Sequence, residues 1–153
     1  MHSARTKGSM AINGFVFTMA LRVRWSEVDR QGIVFNAHYL TYFDLGITEY
    51  WRAIGLPYPD GLAGTGSDLY VAKAVANYHG SAGYDDVLEI GVRVARLGHS
   101  SVTFAIEIRR EGQLLTTGEV VYVNADPGTR QAQAFPARVR QAIAAFEQSV
   151  ELK

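Results

Sequence analysis

The segment from Val28 to Gly46 places one carboxylate, one glycine and one asparagine directly before a strongly apolar run. Asp29 lies seven residues before Asn36, too far for an ordinary helix cap, because a capping side chain reaches N–H groups only about two or three residues ahead. Gly32 permits a tight turn that folds the carboxylate back towards the run. At the positive end of a helix, Asp29 would stay ionised and could act as a nucleophile or a general base. Because Asp is also common in turns and caps, a purely structural role for Asp29 stays open.

Other catalytic side chains are scarce in this sequence. Cysteine is absent, which excludes disulfides, thiolate metal sites and cysteine nucleophiles. The sequence has no Gly-x-Ser-x-Gly motif, so a serine hydrolase is disfavoured. The histidines lack metal-ligand spacing and no acidic cluster completes a site, so we expect no metal and no other cofactor. These histidines are His2, His38, His79 and His99, of which His38 is expected in the first turn of a helix.

The charges of the chain are balanced, with 15 basic and 15 acidic residues. Such a chain has no broad electrostatic attraction to nucleic acid or to an anionic membrane. No apolar run is long enough to span a bilayer, and the polar start of the chain does not match a signal peptide. We therefore expect a cytoplasmic protein in which residues 1–12 are a disordered segment or an expression scar, with Met10 as a candidate natural start. Residues 13–150 are expected to form a single domain.

The apolar run after Asn36 has helical spacing. Its large side chains recur every three or four residues, which predicts a helix from Ala37 to Ile54. Further bulky residues on the other faces indicate a buried helix, not a surface one. Gly46, in the middle of the helix, indicates a close approach to another element. The periodic positions are Leu40, Phe43, Ile47, Tyr50, Trp51 and Ile54, and the additional bulky residues are Tyr39, Tyr42 and Leu45.

Elsewhere the apolar pattern has the period of two that is typical of strands. A Pro- and Gly-rich loop separates the helix from the later strands, and a short helix ends the pattern. Strands grouped after one helix predict an α+β fold with an antiparallel sheet. The economical packing is a hotdog fold, in which a five-stranded sheet wraps around one long buried helix. The predicted strands are Phe15–Trp25, Leu69–Tyr78, Val87–Leu97, Ser101–Arg110 and Leu114–Asp126; the loop is Gly55–Asp68 and the last helix Ala137–Gln148.

Several short motifs follow one another in a characteristic order. The first reads Asp29-x-x-Gly32-Ile-Val-Phe-Asn36 with Tyr39 three residues on, and "YDDVL" comes later at Tyr84–Leu88. With these motifs the sequence resembles the 4-hydroxybenzoyl-CoA thioesterase family, especially its small bacterial acyl-CoA thioesterases, over Phe17–Pro136. The later landmarks of the resemblance are Gly98, Ser100, Gly118, "ADPGTR" and Pro136. Three departures bear on acyl specificity: Gly46 and Ile47 at an Ala-Arg position, "SAG" at Ser81–Gly83, and Asn36 where a histidine is common.

The resemblance implies a hydrolase that splits an acyl-CoA thioester. It implies that Asp29 is the nucleophile or the general base, and that the backbone N–H of Asn36 is the oxyanion donor. It also implies two groups of residues that contact the substrate. The second group lies near a hairpin and would contact the nucleotide of coenzyme A. The two groups are Gly32, Phe35, Tyr39 and Phe43, and then Arg93, Arg96, His99, Ser100 and Ser101. The alternatives are that Asn36 only caps the helix and that the arginines are solvated strand residues.

Two other functions remain open for this fold. A non-catalytic acyl-CoA binding module would bind the same ligand without turnover. A hotdog enoyl-CoA hydratase would need a histidine–acid pair, and its Asp-x-Asn-Pro-x-His signature is absent. For every one of these functions we expect a homodimer or homotetramer, because a curled sheet leaves unpaired amides on its edge strands and joining two edges satisfies them.

Overall fold

The computed structural model describes residue 12, residues 14–147 and residues 151–152 of the chain. The predictions for residues 1–11, including the start at Met10, and the predicted helix end at Gln148 lie outside the described residues. The helices are α1 (His38–Ala53) and α2 (Ala137–Phe146), with short 3₁₀ turns at Trp25–Glu27 and Asp60–Leu62. The strands are β1 (Phe17–Arg22), β2 (Asp68–Tyr78), β3 (Val87–Leu97), β4 (Ser101–Arg110), β5 (Gln113–Ala125) and β6 (Glu151–Leu152).

The sheet has the spatial order β1-β3-β4-β5-β2, and every neighbouring pair along that path is antiparallel. The predicted five-stranded antiparallel sheet and both predicted helices are therefore confirmed. Strand β6, which the sequence pattern did not indicate, pairs parallel with the end of β3. The predicted first strand extended too far, because Trp25–Glu27 forms a 3₁₀ turn. The Arg24 N–H donates to the Glu27 side chain at 2.8 Å across this turn.

Helix α1 packs against one face of the sheet. The alternating apolar side chains of β3 and β4 are buried, as are seven residues of α1. Those of the two strands are Leu88, Ile90, Val92 and Val94, and Val102, Phe104, Ile106 and Ile108. A Cβ atom added at Gly46 would lie 2.8 Å from Val92 Cγ2 and 3.2 Å from Ile90 Cγ2, which confirms the predicted close approach of the helix to β3. The buried residues of α1 are Tyr39, Tyr42, Phe43, Gly46, Ile47, Tyr50 and Trp51.

In the single chain, α1 is not buried on all sides. Leu40 and Leu45 remain 44% and 37% exposed. Strand β2 forms one edge of the sheet, and its Val71 is 58% exposed. Leu40 and Val71 line one cavity, so these two apolar side chains lie open beside an edge strand. In the described part of the chain, no helix has both the length and the apolar character needed to cross a membrane.

Strand β5 also approaches α1 closely, at Gly118. A Cβ atom there would overlap the ring of Phe43, which is itself buried. We expect Gly118→Ala to lower the free energy of unfolding by about 1–3 kcal/mol, the usual cost of overpacking a core. Urea denaturation measures this, with Gly83→Ala as the control, since a Cβ at Gly83 has only ordinary contacts, the nearest at 3.6 Å. Equal stability of the two variants would contradict the prediction.

Candidate active site

The Asp29 loop is a tight turn closed by its own backbone. The Asp29 N–H donates to the Ile33 carbonyl and the Gly32 N–H donates to the Asp29 carbonyl, both at 2.9 Å. Gly32 has a φ of +81°, a conformation that favours glycine, so the predicted turn at Gly32 is confirmed. The half-buried Asp29 carboxylate accepts the Gln31 N–H at 2.7 Å through Oδ1. Its Oδ2 has no hydrogen-bond partner among the described residues. Asp29 thus holds a local turn and keeps one oxygen available.

The N-terminus of α1 is not capped by a side chain. Its cap position is Ala37, with no side-chain hydrogen bond, so the interpretation of Asn36 as the cap is wrong. The next three N–H groups bond to carbonyls three residues earlier; these bonds are His38 to Phe35, Tyr39 to Asn36 and Leu40 to Ala37. Within the part of the chain that the structure describes, the N–H groups of Asn36 and Ala37 have no acceptor. Two backbone donors are therefore available at the positive end of the helix.

The loop, the helix start and the beginning of β3 meet at one end of the sheet. Val28 bridges to Val34, and Ile33 bridges to Gly83, which precedes β3. The Phe35 N–H donates to the Glu27 carbonyl at 2.9 Å. These contacts bring Asp29, Gly32, Phe35 and Asn36 into one small region, as the sequence predicted.

The predicted substrate residues around this region differ in exposure. Phe35 is 45% exposed. Tyr39 is buried, and its hydroxyl accepts the Ala82 N–H at 3.2 Å. Tyr78 donates its hydroxyl to the Asn36 carbonyl at 3.0 Å. Phe35 is thus open to a ligand, whereas the Tyr39 side chain holds the loop before β3.

A buried carboxylate that sequence reasoning missed lies two residues before Asp29. Glu27 is 4% exposed and is paired with Arg24 and Tyr42. Burial alone would raise the pKa of Glu27, but hydrogen bonds from the Arg24 backbone, the Arg24 guanidinium and the Tyr42 hydroxyl lower it below the ordinary value. Burial and the Glu27 carboxylate raise the pKa of Tyr42, so its hydroxyl stays protonated and donates. The sequence has no local signal for a buried glutamate, since Glu27 lies among the charged residues Arg22, Arg24, Asp29 and Arg30.

A groove runs between α1 and the edge formed by β2 and β5. It consists of two adjoining cavities of about 220 Å³ each. Burial first, and then the Asp44 carboxylate, raise the pKa of Tyr122 to about 12. The residues shared by both cavities are Asp44, Ile47, Val71 and Tyr122. Leu40 and Phe43 lie at the end nearer the helix N-terminus, and Trp51 and Tyr58 at the other end. Of the predicted substrate residues, Phe43 lines this groove.

The second predicted group lies elsewhere in the chain. Arg93 and Arg96 lie in the second half of β3, His99 and Ser100 lie in the turn that follows, and Ser101 is the first residue of β4. Strand β3 rises about 3.3 Å per residue, so its ends lie about 30 Å apart, and the Asp29 loop joins its opposite end. The turn is held by a Gly98 N–H to Ser101 carbonyl bond at 2.8 Å and by the Phe135 N–H to the His99 carbonyl at 3.0 Å. A single chain therefore does not bring this group to Asp29.

Comparison with known sequences decides the family. The sequence profile of the thioesterase-like superfamily matches residues 23–143, which include the Asp29 loop, α1 and strands β2 to β5. The chain belongs to this superfamily. The narrower resemblance to the 4-hydroxybenzoyl-CoA thioesterase family stays a prediction.

Three known proteins are similar to this chain over nearly their full length. The acyl-CoA thioesterase YbgC of Haemophilus influenzae is 28% identical over 133 residues, 87% of this chain and 96% of the relative. The crystal structure of PA5185 from Pseudomonas aeruginosa is 28% identical with a TM-score of 0.76, over 90% of this chain and 96% of that one. A 1,4-dihydroxy-2-naphthoyl-CoA thioesterase from Synechocystis shares the fold, with a TM-score of 0.77 at 18% identity over 84% of this chain and 95% of that one.

Proposed function

We propose that this chain is an acyl-CoA thioesterase, which hydrolyses a thioester to a free acid and coenzyme A. The observation that carries the proposal is that one short hairpin holds both Asp29 and the approach to a helix end at which the Asn36 and Ala37 N–H groups are available. A carboxylate beside unpaired backbone donors suits acyl transfer, in which charge develops on the carbonyl oxygen. The names of the YbgC relatives support the same reaction.

In the proposed reaction the thioester oxygen accepts hydrogen bonds from the Asn36 and Ala37 N–H groups. Asp29 then attacks the carbonyl carbon directly, or it takes a proton from a water that attacks. On the direct route coenzyme A leaves as its thiolate, and water then hydrolyses the acyl–Asp29 anhydride to the free acid. On the water route coenzyme A leaves as the acid forms, and the proton held by Asp29 passes to sulfur. Both routes add the elements of water across the carbon–sulfur bond. The groove beside Phe43, lined largely by apolar side chains, would receive the acyl group. A cavity of about 150 Å³ holds a benzene ring, so each half of the groove has room for an aromatic, branched or short aliphatic group.

Thiol release from a panel of acyl-CoAs tests the proposal, together with a hydration assay on an enoyl-CoA. Rapid release of free coenzyme A supports the thioesterase. Water addition without thiol release would indicate the hydratase. Saturable binding of acyl-CoA without turnover would indicate the non-catalytic binding module. Assay of a fractionated cell extract for the same activity tests the predicted cytoplasmic location.

We further propose that two chains pair through their β2 edges. The pairing would satisfy the unpaired edge amides and cover Leu40 and Val71, which lie beside that edge. When two β2 strands pair antiparallel, every strand in the sheet of the second subunit runs in the direction opposite to its counterpart in the first. The β3–β4 turn of one subunit then lies at the same end as the Asp29 loop of the other, and this would bring the arginine group towards the coenzyme A phosphates.

We therefore expect a dimer or a tetramer in solution. Light scattering at micromolar concentration should give a mass of at least two chains of 16.8 kDa. Introduction of a proline at Lys73, an exposed position on β2, should weaken the association because proline disrupts edge pairing. A mass near 16.8 kDa for the parent protein would contradict the expectation.

A separate expectation concerns Arg93 and Arg96. If their guanidinium groups bind the phosphates of coenzyme A, replacement of either by alanine should raise KM several-fold and leave kcat nearly unchanged. The control is Arg52→Ala, which removes an exposed arginine paired with Glu49 on α1. Steady-state kinetics on one acyl-CoA gives both constants. Unchanged KM values in both variants would mean that the nucleotide binds elsewhere.

A further inference from the structure

We propose that Glu27 is a positioning residue that holds the Asp29 loop in register with the N-terminus of α1. The inference rests on the proposed function, since it assigns a task to a residue beside the proposed catalytic pair. Glu27 is buried and does not touch the substrate. It acts through Asp29 and through the backbone N–H groups of Asn36 and Ala37.

Both carboxylate oxygens of Glu27 are fully engaged. Oε1 accepts the Arg24 N–H and the Tyr42 hydroxyl, each at 2.8 Å. Oε2 accepts Nε of Arg24 at 2.9 Å and a terminal guanidinium nitrogen of Arg24 at 2.6 Å. The side chain of Arg24 is 70% exposed, whereas that of Glu27 is 5% exposed. A buried carboxylate is tolerated when its oxygens are hydrogen-bonded and its charge is paired, and both conditions hold here.

These bonds join the two halves of the proposed site. Tyr42 lies in the second turn of α1 and is fully buried, so its hydroxyl marks a fixed point on the helix. The Glu27 carbonyl accepts the N–H of Phe35, the residue directly before Asn36. Glu27 itself is two residues before Asp29. Glu27 therefore sets the distance between the Asp29 loop and the available N–H groups. Its side chain is hydrogen-bonded to Tyr42 of the helix, and its carbonyl is hydrogen-bonded to Phe35 in the segment that leads into the helix.

Only a carboxylate satisfies this arrangement. All of the groups that face the Glu27 oxygens are donors: a backbone N–H, a hydroxyl and a guanidinium. A glutamine of the same shape would place its own NH₂ group against one of these donors. Glu27→Gln should therefore shift the loop without removing volume from the core. Tyr42→Phe removes a single hydrogen bond and preserves the ring that packs under the helix.

Kinetics of Glu27→Gln and Tyr42→Phe test the proposal. We expect kcat to fall by about tenfold or more, since a displacement of about 1 Å in an active site can cost on the order of a hundredfold. KM should change by less than about twofold, because substrate contacts remain. The control is Arg22→Ala, which breaks the exposed Arg22–Asp85 ion pair on the same segment and should keep the parent kcat. Tyr42→Phe keeps the test decisive if Glu27→Gln does not fold.

A double-mutant cycle with Asp29→Asn separates positioning from general damage to the fold. If Glu27 acts through Asp29, Glu27→Gln lowers kcat in the parent and causes little further loss in the Asp29→Asn background. An equal fold-loss in both backgrounds, or parent-like kcat in Tyr42→Phe and Glu27→Gln, would overturn the positioning role. Retention of parent turnover by Asp29→Asn itself would instead refute the proposed role of Asp29, on which Glu27 depends. The two failures are thus distinguishable.

Discussion

Replacement of Asp29 by asparagine is expected to lower thioester turnover by about a hundredfold or more, the scale of losing a positioned acid–base or nucleophilic group. Asparagine keeps the shape of the side chain and an oxygen that can accept the Gln31 N–H, so the turn should survive. What it removes is the negative charge and the free Oδ2 atom. The change should therefore appear in kcat and leave the binding of an unreactive acyl-CoA analogue nearly unaltered.

The matched control is a change at Gln31, whose backbone N–H completes the turn but whose side chain is exposed. Gln31→Ala should keep both turnover and melting temperature. A purely structural Asp29 would give the opposite pattern. Asp29→Ala would then lose about 1 kcal/mol of stability and keep its activity. Turnover of Asp29→Asn within threefold of the parent on its best substrate would show that Asp29 is structural.

A large loss of stability is expected when Glu147, at the end of α2, is replaced by alanine. Its Oε2 atom accepts the Tyr50 hydroxyl of α1 at 2.6 Å and the Val94 N–H of β3 at 2.9 Å. Burial and the Glu147 carboxylate raise the pKa of Tyr50, so the hydroxyl stays protonated and donates. Glu147→Ala leaves two buried donors without an acceptor, and we expect the free energy of unfolding to fall by about 2–5 kcal/mol.

Urea denaturation at one fixed protein concentration measures this loss, since subunit association also contributes to stability. Tyr50→Phe removes only one of the two bonds and should cost about 1 kcal/mol. Glu49→Ala, on the outer side of α1, removes an exposed carboxylate paired with Arg52 and should change stability by less than about 0.5 kcal/mol. A Glu147→Ala variant as stable as Glu49→Ala would refute the docking role of Glu147.

Local patterns were enough to predict most of the fold. The alternation of apolar residues fixed the inward faces of β3 and β4, and the spacing of three and four fixed α1 to within one residue at each end. The first strand was predicted too long because a single bond from the Arg24 backbone to the Glu27 side chain turns the chain. Strand propensity does not register such a bond.

The candidate site was predictable only where its contacts are local. The turn at Gly32 and its proximity to Asn36 follow from a short segment. The pairing of Glu27 with Tyr42 joins residues 15 positions apart through the tertiary packing of α1, so no short-range pattern reveals it. Residues Arg93 to Ser101 are far from Asp29 within one chain, and the contact between subunits that we propose for them leaves no local pattern in the sequence.

The strand order has a consequence for synthesis of the chain. Strand β2 is followed in sequence by β3, but its only partner in the described sheet is β5, which is complete at Ala125. At about 5–20 residues per second, a translating ribosome needs roughly 2–10 s to extend the chain from the end of β2 to the end of β5. Throughout that interval the β2 segment, with Val71 and Tyr78, has neither of its edges paired. The nascent chain therefore exposes an unpaired strand that is open to self-association until β5 leaves the ribosome, and pairing of β2 with β5 is the step that ends this exposure.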